Sequence, residues 1–90
     1  MNRQDVFTVI DKERQYQDTA WPRDAHAQAM YSNLAPHLVL LEEYIHRART
    51  AWTNNGPEAQ PLKVVAKLAA IAVRALEEVD GSAEATQSLR

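Results

Sequence analysis

The chain has ninety residues and a formal net charge of −2, with ten Lys and Arg set against twelve Asp and Glu. That balance argues against the concentrated basic surface on which duplex binding leans, so no extended nucleic-acid footprint is expected, although a small local basic site fits. With no cysteine there is no disulfide to staple the fold, which points to a reducing, cytoplasmic setting, and a single domain this small predicts a homo-oligomer, dimer or higher.

The opening MNRQDVFTVIDKER mixes both charge signs through a short apolar patch, which is neither a signal-peptide core nor a membrane span, so no membrane partner is expected. Val6, Phe7 and Ile10 form an apolar face that continues toward Gln17 at helical spacing until Trp21-Pro22 stops it. This predicts a first helix from Asp5 to Asp18. The proline-led, polar stretch PRDAHAQAMYS reads as a loop. The strongest periodicity follows: Leu34, Leu38, Leu41, Ile45, Ala48 and Trp52 recur at spacings of 4, 3, 4, 3 and 4, a continuous seam for a partner helix. Ser32 or Asn33 suits the N-cap, Pro36 is tolerated in the first turn, and Asn54-Asn55-Gly56-Pro57 ends the helix.

A third helix is predicted from Pro61 to Val79. Leu62, Val65, Ala69, Ala72, Leu76 and Val79 form its seam, and Val64, Leu68, Ile71 and Ala75 widen it. A face this broad, studded with alanines that let neighbours approach closely, belongs at the centre of a bundle. Asp80-Gly81 is a stop signal, so residues 1–80 read as one domain and 81–90 as a flexible tail. The fold class is all-α: three helices, the last two forming an antiparallel hairpin.

Chemistry has few places to sit. Glu42, His46 and Arg49 line one flank of the second helix, and Lys63, Lys67 and Arg74 line a stripe of the third. If the flanks meet across the hairpin, acids and bases interleave there; simple ion pairs such as Glu43 with Arg47 account for the same residues. A Mg²⁺ cage needs carboxylates converging from two helices, and only Glu42 and Glu43 are in place, because Leu62 to Arg74 contains no acid. His46 suits a softer metal. No nucleophile has a partner and no glycine-rich phosphate loop exists, so phosphate binding falls to Arg14, Lys67 and Arg74. Trp21, Tyr16 and Tyr44 are free to stack on a base, whereas Trp52 lies on the seam and is expected in the core.

Glu13 to Val79 resembles the small MazG-like all-α nucleotide pyrophosphohydrolases. ERQYQDTAW, Glu13 to Trp21, resembles the family's Glu-Arg-x-x-Gln-Asp-x-Lys-Trp-Gly segment, matching at Glu13, Arg14, Gln17, Asp18 and Trp21, with Ala20 and Pro22 in place of Lys and Gly. LVLLEEYIHRA resembles the apolar run followed by Glu-Glu-x-x-Glu, keeping Glu42 and Glu43 but placing His46 at the last glutamate. VVAKLAAIAVRALEEV resembles the third helix, whose Glu-x-x-Asp ligands here read Val64 and Lys67. In active members those carboxylates hold the Mg²⁺ that neutralises the triphosphate and activates water.

The resemblance thus implies a MazG-like helical oligomer that has lost most of its metal ligands, holds no cofactor and keeps a nucleotide site. Arg14, Lys67 and Arg74 would meet phosphate, Trp21 or Tyr44 would stack on the base, and Gln17, Asp18, Glu42, Glu43 and His46 would complete the site. In a phage setting such a protein would sequester a host signalling nucleotide. The alternative is a working Mg²⁺-dependent pyrophosphohydrolase using Glu13, Asp18, Glu42, Glu43 and His46. A reading from another class is a helical interaction or inhibitor module whose seams are an assembly surface.

Overall fold

The computed structural model describes residues 1–79, the side chains of Asn55 and Pro57 excepted, so the expected tail at 81–90 lies outside the described residues. The described residues are all-helical: α1 (Arg3–Ala20), α2 (Ala25–Tyr31), α3 (Leu34–Asn55), a 3₁₀ turn (Gly56–Ala59) and α4 (Pro61–Glu78). None of these helices is long and apolar enough to cross a membrane.

α1 begins two residues earlier than its apolar pattern suggests because the Asn2 side chain accepts the Asp5 N–H at 2.8 Å and caps the first turn. It runs to Ala20, and Trp21, preceding Pro22, takes the extended geometry that ends it (φ −99°, ψ 148°). The stretch read as a loop contains α2, a correction with a local cause. Asp24 accepts the Ala27 N–H at 2.8 Å, and this N-cap nucleates seven helical residues whose Ala27 is buried. Asn33 does precede α3, yet its side chain makes no capping bond and reaches back to the Ala29 carbonyl instead.

Gly56 terminates α3 at φ 60° and ψ −147°, a backbone region essentially reserved for glycine. An added Cβ there meets nothing within 4 Å, so the cost of Gly56→Ala is backbone strain alone, about 1–3 kcal/mol. Urea denaturation is expected to show that loss, and an unchanged midpoint would contradict this geometry. The chain then turns through Gln60 in the left-handed region (φ 56°, ψ 52°) into Pro61, whose missing N–H suits the first position of α4.

α4 packs against both α1 and α3, and α2 lies against α3. Its wide apolar face does place it centrally, with Ala70, Ile71 and Ala75 buried. The expected seams, however, do not form the interior of this chain. Trp52 is 62% exposed rather than core, and Leu34, Leu38 and Ile45 on α3, with Leu62, Val65 and Leu76 on α4, are also exposed. The physical reason is phase. α3 turns a second series at the same spacings inward, His37, Leu41, Tyr44, Ala48 and Ala51, with His37 fully buried. What the helices enclose is therefore largely polar: Arg14, Gln17, His37 and Arg74 are buried beside Ala27, Ala70, Ile71 and Ala75.

Candidate ligand-binding cleft

Three helix ends bring the polar residues together. The extended backbone at Trp21 swings the indole off α1 toward α4, and Tyr31, the last residue of α2, approaches the same guanidinium. Arg74 on α4 lies against both rings, its Cζ 5.0 Å from the Trp21 centroid and 4.5 Å from the Tyr31 centroid. A flat, weakly hydrated guanidinium suits this stacking in a way an ammonium does not. Its Nε donates to Glu78 Oε2 at 3.0 Å, while Nη1 is buried with no hydrogen-bond partner among the described residues. An unpaired donor of this kind is costly and marks a place where an acceptor would be stabilising.

Two hollows share Pro22 and Arg74 as walls. One, about 270 Å³, is completed by Arg23, Gln28 and Glu78. The other, about 240 Å³, is completed by Trp21, Tyr31, Leu40, Glu43, Tyr44 and Arg47. Arg47 lies over the Tyr44 ring at 4.7 Å and donates to Glu43 at 3.1 Å, both side chains about half exposed. A pair that exposed contributes at most about 1 kcal/mol, so an incoming anion can take the place of Glu43.

Beneath the hollows runs an ion-pair network. Arg14 donates to Asp18, to Glu77 at 2.9 Å and lies 3.6 Å from Glu78, and Arg23 meets Asp18 at 2.8 Å. Desolvation disfavours the charged Arg14, but its bonds to Glu77 and Asp18 outweigh that and raise its affinity for the proton. Desolvation likewise pushes Asp18 upward, and the hydrogen bond and charge of Arg14, then of Arg23, overcome it and hold the carboxyl below its ordinary value. A depressed carboxylate adds stability that is present above its unfolded value, near 4, and disappears as pH falls through the folded value. Urea midpoints taken from pH 5 to pH 3 are expected to drop, and Asp18→Asn to flatten the drop; identical slopes would contradict the assignment.

His37 Nε2 bonds the Tyr31 carbonyl at 2.8 Å, which assigns the proton to Nε2, and its ring packs tilted against the Tyr31 ring. Gln17 Nε2 donates to the Lys67 carbonyl at 3.2 Å, tying α1 to α4. Lys67 Nζ donates to Glu13 at 3.2 Å and lies 5.2 Å from the Tyr16 ring centroid.

Of the expected ligand residues, Trp21, Glu43 and Arg74 line the hollows, Arg14 and Asp18 reach their walls only through Glu78 and Arg23, and Gln17 is bonded to the Lys67 carbonyl away from them. Lys67 sits about two turns down α4 from Arg74, held by Glu13. Glu42 and His46 do not join them, because the phase that buries His37 puts positions 42 and 46 on the exposed far side of α3, where His46 meets Arg49 at 3.4 Å. The expected facing of that flank with Lys63, Lys67 and Arg74 is therefore not formed. Among the described residues, no three His, Cys, Asp or Glu side chains are gathered as a metal ion needs. Tyr31, His37, Arg23, Glu77 and Glu78 were not anticipated, and Arg47 was expected only as the ion-pair partner of Glu43, a pair the structure forms. The capping Asp24 and the inward 4, 3, 4, 3 series beginning at His37 were the signals for the first two. No protein-family model matches the chain, nor does any curated protein or solved structure.

Proposed function

We propose that the chain is a non-catalytic nucleotide-binding protein of MazG-like kind, acting as a homo-oligomer in the cytoplasm. The observation that carries the reading is Arg74: a buried guanidinium stacked on two aromatic rings, with an N–H unpaired among the described residues, at the wall shared by two hollows. Phosphate oxygens meet Arg74 and, once Glu43 is displaced, Arg47, while the base takes the aromatic hollow beside Trp21 and Tyr44. Lys67 supports the absence of a metal step from another direction. In the resemblance it falls at a carboxylate ligand position, and here its ammonium pairs with Glu13, the residue that opens the resembling segment. For a phage-encoded chain, this chemistry suits retention of a host signalling nucleotide.

Calorimetric titration with a panel of nucleotides, with and without EDTA, tests this. Binding that is indifferent to EDTA is expected. Failure to bind any nucleotide would sink the reading, and Mg²⁺-dependent pyrophosphate release lost in Glu43→Ala would replace it with the pyrophosphohydrolase.

A further inference from the structure

Apart from Val39, the large apolar side chains that α3 and α4 leave exposed form one stripe on each helix. At about 100° per residue, the exposed Leu62, Val65 and Leu76 lie roughly 120–180° round α4 from the buried Ile71, with the half-buried Ala69 between them. On α3, Leu34, Leu38, Ile45 and Trp52 lie roughly 60–100° round from the buried His37. Lys67 and Glu77, which meet α1, lie the other way round α4, and Leu40 and Arg47, which line the cleft, lie the other way round α3. Because the two helices run antiparallel, their opposite rotations carry both stripes to one side of the hairpin, away from the cleft.

We infer that a second copy of this chain covers that face, related by a two-fold axis crossing the hairpin, so that α3 packs antiparallel on α3 and α4 antiparallel on α4. The inference deepens the oligomeric part of the proposed function and is independent of the nucleotide. A two-fold contact must be self-complementary, each residue facing one that faces it in return. The α3 series has spacings 4, 3, 4, 3 and 4, which read the same in both directions. Reversed about position 43, it sets Leu34 against Trp52, Leu38 against Ala48 and Leu41 against Ile45 of the second copy. The α4 series, 3, 4, 3, 4 and 3, also reverses onto itself. It sets Leu62 against Val79 and Val65 against Leu76, with Ala69 and Ala72 at the crossing where backbones approach most closely.

One axis serves both helices. With Asn55 opposite Pro61 across the turn, position 43 lies level with about position 73, within roughly 4 Å of the α4 centre between Ala70 and Ile71, less than one helical turn. The exposed side chains of the two stripes together present on the order of 800 Å², the share each partner contributes to a stable interface. The need is evident from inside the protomer, where Ile71 is the one large apolar side chain among those fully buried in the described residues.

The chain has no cysteine, so position-specific cross-linking needs no background removal. Sedimentation is expected to give twice the 10.2 kDa chain mass for the wild type. A mixture of Leu34→Cys and Trp52→Cys chains, both positions exposed in the protomer, allowed to exchange and then mildly oxidised, is expected to link position 34 to 52 in clear excess over 34 to 34 and 52 to 52. A monomer at micromolar concentration overturns both the inference and the oligomeric reading. A dimer in which the like-with-like links dominate, or in which Ile45→Cys links to Ala72→Cys instead, overturns the inference alone.

Discussion

Arg14→Ala is expected to lower the unfolding free energy by about 3 kcal/mol, a large part of what holds a small domain together. The guanidinium is 7% exposed and is the one group on α1 that reaches both Asp18 on its own helix and Glu77 and Glu78 on α4. Removing it leaves a void and three carboxylates facing one another. Asp18 and Glu77 are about half open to water and can rehydrate, which keeps the cost below that of stranding a fully buried charge. Arg14→Met separates the two contributions: it fills the volume without the charge, and its loss should be visibly smaller. Chemical denaturation at one fixed protein concentration makes the comparison, since the proposed assembly would add its own concentration-dependent stability. Equal midpoints for wild type and Arg14→Ala would show that the network contributes nothing net.

Arg74→Lys is expected to weaken nucleotide binding 10- to 100-fold, the equivalent of losing about 1.5–3 kcal/mol in charged hydrogen bonds. The substitution keeps the positive charge but loses the flat surface that stacks on Trp21 and Tyr31 and the fork that can hold Glu78 and a phosphate together. Calorimetry on folded variant protein reads the change. A lysine variant that binds as tightly as wild type would remove Arg74 from the site.

The helices that carry long apolar stripes were legible almost to the residue, whichever way the stripes face: α4 was expected at Pro61–Val79 and is Pro61–Glu78. α2 was not, because AHAQAMY has too few large apolar side chains to show a period and owes its start to one carboxylate, Asp24. The site was half legible for a similar reason. Arg14, Gln17, Asp18 and Trp21 share the inner face of one short segment, so any helix there brings them together. The partners they find on α3 depend on its rotation about its own axis. Two series on α3 share Leu41 and Ala48, and hydropathy favours the one ending in Trp52 over the one holding His37 and Tyr44. Periodicity reports that a face is apolar; it does not report whether its neighbour is another part of the same chain. Glu42 and His46 were misplaced by that one ambiguity.

The two tryptophans sit on opposite faces of the molecule. Trp21 stacks on the Arg74 guanidinium beside the cleft, and Trp52 stands exposed on the outer side of the hairpin. Each indole is thus a fluorophore in a different environment, one against a cation and one on the face that the inferred second copy covers. Emission from a Trp52→Phe chain would read occupancy of the cleft by the proposed ligand, and emission from a Trp21→Phe chain would read dissociation of the inferred dimer on dilution. The two proposals can then be tested as separate optical signals, with no label attached to either.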